Sequence, residues 1–261
     1  MGAHLLNRAG ATDPLAGMAS GDYRVGVAFS DFVGARKGQV TEVNSQLSGQ
    51  SLYALDADAD AYLVALADGR VYMVETEHLA RQLLTTIDVT RSVCELNFSQ
   101  TPACLVTEDA QLVRDTIYRG RTIQAADTLG AAQYMLDQAV AYSLDRKQFN
   151  RAIGSFQAVK HMCAEMASQL EPCRSFVWYA GHAFDEMDNE AALTACHAKA
   201  HLAEVGQFVA KTSTEVHGGM GFTDLVGLHY WFKRIGFNRQ LLGSPEQVRH
   251  EAALHQGLCD A

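Results

Sequence analysis

The sequence predicts an α+β chain: a small antiparallel β domain followed by a C-terminal up-down bundle of four to five helices. Three observations carry this reading. Between residues 20 and 110 the apolar residues come in short runs rich in Val, Tyr and Leu, separated by Gly, Asp and Asn. From about residue 112 the apolar period becomes helical, as in Leu129, Ala132, Leu136, Ala139 and Val140. The helical runs are parted only by short breaks at 150–154, 185–190, 217–221 and 243–245, so successive helices must turn back on one another.

Taken in order, residues 1–20 are amphipathic and helical, with Leu5, Leu6, Ala9 and Leu15, but too few to form a domain. "YRVGVAFSDFV" (23–33) reads as a first strand. "GQVTEVNSQLSGQSLYAL", "AYLVALADGRVYMVET" and "SVCELNFSQTPACLV" supply further strands. Asp68-Gly69 lies between two apolar runs, the pair that favours a tight hairpin because both residues tolerate positive φ. In the helical half, Phe156, Val159, Met166, Leu170, Cys173 and Val177 form one stripe. Leu202, Val205, Phe208, Val209 and Thr212 form another. Pro172 falls inside the first stripe and predicts a kink or an interruption there, because proline lacks the N–H that a helix interior uses.

Composition narrows the function classes. The 261 residues are 48% apolar and 20% charged, as in ordinary globular proteins, and the net charge is −9. A negative balance argues against nucleic acid or an anionic membrane as partner, since both call for a basic face. No apolar run is long enough to span a bilayer, and "MGAHLLNRAG" is too short in apolar residues for a signal peptide. Leu at position 6 is wrong for myristoylation. Six cysteines stand at 94, 104, 163, 173, 196 and 259 with no CxxC spacing. That predicts reduced core thiols in a cytoplasmic protein and no metal site.

Three stretches carry chemistry. In "YSLDRKQFNRAIGSFQAVKH" (142–161) a helix ends in a basic pair, an aromatic follows, and a new helix opens with Phe-Gln. An Arg and an aromatic ring at a helix end suit a diphosphate joined to an adenine. The same cations also serve simply to complement a helix dipole. "STEVHGGMGFTD" (213–224) has two adjacent glycines, which either admit a ligand close to the backbone or end a helix. "RQLLGSPEQVRHE" (239–251) is a turn with free backbone N–H groups at a helix start.

Order and spacing together are more specific than any one stretch. "LGAAQYMLDQAVAYSLDRKQFNRAIGSFQAVKHMCAEM" resembles the C-terminal helical domain of acyl-CoA dehydrogenases, whose usual form reads R-x-x-F-G-x-x-I-x-x-F-Q. "VHGGMGFT" looks like the Gly-Gly motif of that family, and residues 20–110 resemble its middle β domain. The resemblance implies three segments: a remnant of an N-terminal helical domain (1–19), the middle β domain (20–110), and a flavin-binding, oligomerising bundle (111–261). It also implies α,β-desaturation of an acyl-CoA thioester with FAD. A carboxylate takes the α-proton and the flavin takes the β-hydrogen as hydride. Arg146 would contact the FAD diphosphate, commonly that of a neighbouring subunit, and Phe149 would lie against the adenine end. Gln157, Gly218 and Gly219 would serve the ADP half, and Arg121 would stand beside the acyl thioester.

Two departures bear on catalysis. The usual catalytic Glu precedes a Gly-Thr/Ser turn, and Leu242 stands there instead. The family's alternative base position corresponds to Gly120. Asp127, two turns further along that helix, is a possible substitute, whereas Glu246 suits the first turn of its own helix. The N-terminal helical domain is missing, and "SDFVGARKGQVTEV" lacks the Gly-Ser-Asp signature expected after the strand. A shortened subunit, a fragment and a late start all fit that shortness. The departures predict a base-lacking subunit of a heteromeric enzyme, resembling the small subunits of such pairs, some of which act on steroid side chains. The resemblance also implies homo-oligomerisation, because residues matching Arg146 and Phe149 normally serve the neighbouring subunit's cofactor. A self-contained enzyme using Asp127 and a non-catalytic member are the rival readings.

Overall fold

A computed structural model describes residues 1–34 and 40–259, apart from the side chain of Asp188. Part of the altered stretch 30–43, residues 35–39, lies outside the described residues. The chain divides into two compact units, Met1–Gly120 and Arg121–Ala261.

The first unit opens with α1 (Gly2–Arg8) and α2 (Leu15–Ser20). Leu5 and Leu6 of α1 are fully buried, which is what the N-terminal leucines are for. The strands are β1 (Val25–Ala28), β2 (Thr41–Val43), β3 (Gln46–Leu55), β4 (Ala61–Ala65), β5 (Val71–Glu75), β6 (Ala80–Leu83), β7 (Val93–Pro102) and β8 (Cys104–Thr107), with a short helix α3 (Ser30–Val33) after β1. They form one sheet in the order β6-β7-β3-β1-β4-β5-β8, with β2 beside β3. Its buried side holds Leu47, Ala54, Tyr62, Val64, Val74 and Leu96.

The sheet is antiparallel as expected except at one seam, where β1 and β4 run parallel from Val25↔Ala61 to Ala28↔Val64. Topology requires this. β3 and β4 follow one another in opposite directions, and β1 lies between them, so it must match one of the two. Gly26 sits at that seam because a Cβ there would lie 2.5 Å from the Tyr62 ring and 2.6 Å from the Leu55 carbonyl oxygen. The Asp68-Gly69 hairpin joins β4 to β5. Gly69 takes φ 94° and donates its N–H to the Leu66 carbonyl at 3.0 Å.

The helices are α4 (Ala110–Asp145), α5 (Gln157–Glu186), α6 (Asp188–His217), α7 (Leu228–Gln240) and α8 (Pro245–His255). The division between units falls inside α4, so it is no break in the chain. Met135, Met166, Leu170, Leu202, Val209 and Ile235 share the core of the helical unit. Gly206 permits a close approach of α6 to α4, since a Cβ there would lie 2.6 Å from the Thr128 methyl. The helix α5 runs unbroken across Pro172. Leu170 and Cys173 flank the proline in the core, and their packing holds the helix where a single backbone hydrogen bond is lost. No helix among the described residues is long and apolar enough to cross a membrane.

Candidate functional site

Beyond α4 the chain makes a miniature hairpin, β9 (Lys147–Gln148) paired with β10 (Arg151–Ala152). The turn between them is Phe149-Asn150, at φ 51° and 60°. Two left-handed residues in a row match the twist of such a hairpin, and Asn-Gly is the sequence that adopts it without strain. A phenylalanine there is strained by its Cβ, and this ring is 88% exposed, so it gains little burial in return. It meets Phe156 edge-on at 6.1 Å, while Arg151 lies 3.9 Å over the Phe156 ring. The Arg146 backbone is tied down, its N–H donating to the Tyr142 carbonyl and its carbonyl accepting from Ile153 N–H, both at 2.8 Å. Its side chain is exposed, and among the described residues no hydrogen bond or ion pair engages the guanidinium. Gln157 is the first residue of α5 and is also exposed, beside the free N–H groups of that helix end.

The glycine pair adjoins this loop. His217 ends α6, is buried, and places Nδ1 2.8 Å from the Ser213 carbonyl oxygen. Its ring stacks on Tyr142 with centroids 4.6 Å apart. Tyr142 lies one helical turn before Arg146, and His217 directly precedes Gly218, so this stack sets the two motifs side by side. The two glycines then differ. Gly218 adopts φ 59°, ψ −140°, a conformation reserved for glycine. Gly219 has no such need, and a Cβ there would meet nothing within 4 Å. Among the described residues nothing crowds it, so the backbone there stands open. An exposed guanidinium, an exposed ring held under strain and a bare backbone patch fit a diphosphate bearing a flat base.

The base position is built in the opposite manner. Leu242 takes φ 59° and Gly243 φ 110°, and Leu242 is buried. Ser244 then caps α8, its hydroxyl accepting from Gln247 N–H at 3.3 Å, with Pro245 next and Glu246 in the first turn. Arg121, 1% exposed, reaches this turn from α4. Its Nε donates to the Leu242 carbonyl at 2.8 Å. Its two terminal nitrogens meet the two carboxylate oxygens of Glu251 at 2.5 and 2.8 Å. Cys196 Sγ lies 3.5 Å from Nη1, and burial pushes that thiol up to about 11. Gly120 is buried and offers no titratable group.

Asp127 is engaged elsewhere in the bundle. Asn238 of α7 donates to it at 2.6 Å and to Thr128 at 3.1 Å, and Arg234 stands 3.7 Å away. Glu251 and Asn238 match no motif position in the sequence. The signal for Glu251 was present, since it falls on the stripe of Val248 and Ala252, and an acid on a buried face needs a buried cation.

The family model for the C-terminal domain of acyl-CoA dehydrogenases matches residues 110–253. The acyl-CoA dehydrogenase IpdE2 of Mycolicibacterium smegmatis is 32% identical over 199 residues, covering 76% of this chain and 59% of that protein. This chain therefore spans well under two thirds of that relative's length. The structure of butyryl-CoA dehydrogenase from Megasphaera elsdenii matches with a TM-score of 0.83 at 20% identity, over 94% of this chain and 70% of that one. A variant of the steroid ACAD Tcur3481-Tcur3483 matches with a TM-score of 0.84 at 25% identity, over 94% and 70%. The family match covers more than half of the chain and takes in the Arg146 loop, the Gly218-Gly219 turn and the Leu242-Gly243 turn, so the chain belongs to the acyl-CoA dehydrogenase family.

Proposed function

We propose that this chain is a base-lacking subunit of a heteromeric acyl-CoA dehydrogenase, binding the ADP half of FAD and leaving proton abstraction to a companion chain. The observation that carries this is the contrast at the Leu242 turn. The place of the usual carboxylate holds a buried leucine, while Arg146, Phe149, Gln157, Gly218 and Gly219 are all exposed. Arg146 would pair with phosphate oxygens, Phe149 would cover the adenine, and Gly219 would let the diphosphate lie against the main chain. Gln157 adds the N-terminus of α5, where N–H groups favour an anion. A flavin held there would supply a hydride acceptor for the β-hydrogen of an acyl-CoA, and the α-proton would go to a carboxylate of the companion chain.

Other features support an assembly. Trp178, Phe222 and Leu225 are 70%, 79% and 86% exposed, so large apolar side chains are available for burial against another chain. The paired designation of the similar steroid ACAD fits two components and makes a steroid-derived acyl-CoA a reasonable first substrate to try. The rival with Asp127 as base is weakened by its engagement with Asn238 and Arg234.

The test is the visible spectrum of the purified chain, alone and co-purified with the products of its neighbouring genes. The expected result is a flavin band that acyl-CoA bleaches only when the companion is present. Bleaching by the chain alone would show a complete site and direct attention to Asp127→Asn. Absence of flavin even beside the companion would mark a non-catalytic member.

A further inference from the structure

We infer that Glu251 is a positioning residue, acting through Arg121 to hold the Leu242-Gly243 turn in its left-handed conformation. A leucine at φ 59° is disfavoured by its own Cβ, so something must over-determine the turn. Arg121 does so by donating from Nε to the Leu242 carbonyl. That bond has a direction only if the guanidinium plane is fixed, and Glu251 fixes it by taking both terminal nitrogens in a bidentate pair. The fork therefore has one arm on the turn and two on α8, and α8 itself starts at the same turn. A closed loop results: turn, arginine, glutamate, helix and back to the turn.

A buried ion pair is poor glue, because well-packed apolar residues stabilise as well or better. Its geometry is what apolar residues cannot supply. Only a guanidinium can serve a backbone carbonyl and a carboxylate in one plane. The pairing also means that the Arg121 fork is committed within the chain, so this turn is maintained as a shape rather than as the seat of a base. The inference uses the proposed function only in taking this turn as the family's base position.

Backbone amide hydrogen exchange across residues 241–246 of the 261-residue chain tests it, with exchange in α5 and α6 as the internal control. Glu251→Gln keeps the side-chain volume and removes the bidentate charge, and at least tenfold faster exchange in the turn is expected, with α5 and α6 unchanged. In Glu251→Ala, added formate restores protection by occupying the vacated fork. In Glu251→Ala with Arg121→Leu, formate restores nothing. Unchanged exchange in the turn of Glu251→Gln, or loss of protection spread equally over α5 and α6, overturns the inference. Because exchange is read on the chain without substrate or companion, it decides the clamp whatever the flavin spectrum shows.

Discussion

The Phe149 hairpin and the Leu242 turn both hold a bulky residue at positive φ, and they resolve that strain in opposite ways. At the hairpin the strained side chain points outward at 88% exposure, beside a guanidinium that nothing described in the chain engages. At the Leu242 turn the strained residue is buried, and the nearby guanidinium is met by a carbonyl, a carboxylate and a thiol. Strain that is compensated inside the chain is architecture. Strain that is left uncompensated makes the hairpin the first place to test for a ligand.

The largest effect that can break this comparison is on stability at the buried turn. Glu251→Leu leaves Arg121 buried without its carboxylate, and the expected loss is about 2–4 kcal/mol in urea unfolding, below the full cost of breaking a buried pair because Glu251 is partly exposed. Adding Arg121→Leu restores most of that loss if the pair is replaceable as glue, while the turn still exchanges faster.

The two glycines of the Gly218-Gly219 turn separate shape from binding. Gly218→Ala is expected to cost roughly 1–3 kcal/mol, because alanine is excluded from its backbone conformation. Gly219→Ala is expected to leave stability within about 0.5 kcal/mol, since its Cβ meets nothing. If flavin titration shows tenfold weaker binding for Gly219→Ala all the same, the bare backbone is a ligand surface. Equal binding would remove it from the site.

At the hairpin, Phe149→Asn places a residue that tolerates positive φ where the ring was strained. A gain of about 1 kcal/mol in stability is expected together with weaker flavin retention. A loss of stability would show that the ring serves the fold and would erase the contrast between the two turns.

The smallest effect concerns the thiols. Cys104 and Cys259 are exposed and are expected to react with maleimide in the native chain. Cys173 and Cys196 are buried, and desolvation pushes both up to about 11, so they stay unreacted until unfolding. A raised thiol pKa favours the fold below the ordinary value near 9, and this contribution is lost as pH rises toward 11. Labelling read by mass spectrometry at pH 7.5 checks the reactivity, and urea unfolding at pH 8.5 and 10.5 checks the loss of stability. Early reaction of Cys196 would mean that the Arg121 cluster opens.

Most of the architecture was legible in local pattern. The change of period near residue 110, the Asp68-Gly69 hairpin and the breaks around 150, 187, 218 and 243 all mark element ends in the structure. These signals act over a few residues through side-chain periodicity and φ preference, which is why reading along the chain finds them. The residues proposed to hold a cofactor were legible only through their resemblance to a family pattern, and their exposure and strain were not legible at all. Pro172 misled in part, because local preference for a break lost to the packing of Leu170 and Cys173.

By itself, then, the sequence determined the order of elements, the place of the turns and the absence of a carboxylate at position 242, all consequences of which residue stands where. Only the tertiary structure decided that β1 and β4 run parallel, that Tyr142 and His217 join two distant motifs, and that Glu251 closes on Arg121. Arg121 and Glu251 are 130 residues apart in the chain. No periodicity links residues at such a separation. A buried charge must find an opposite one, but which one it finds is settled by how the helices pack.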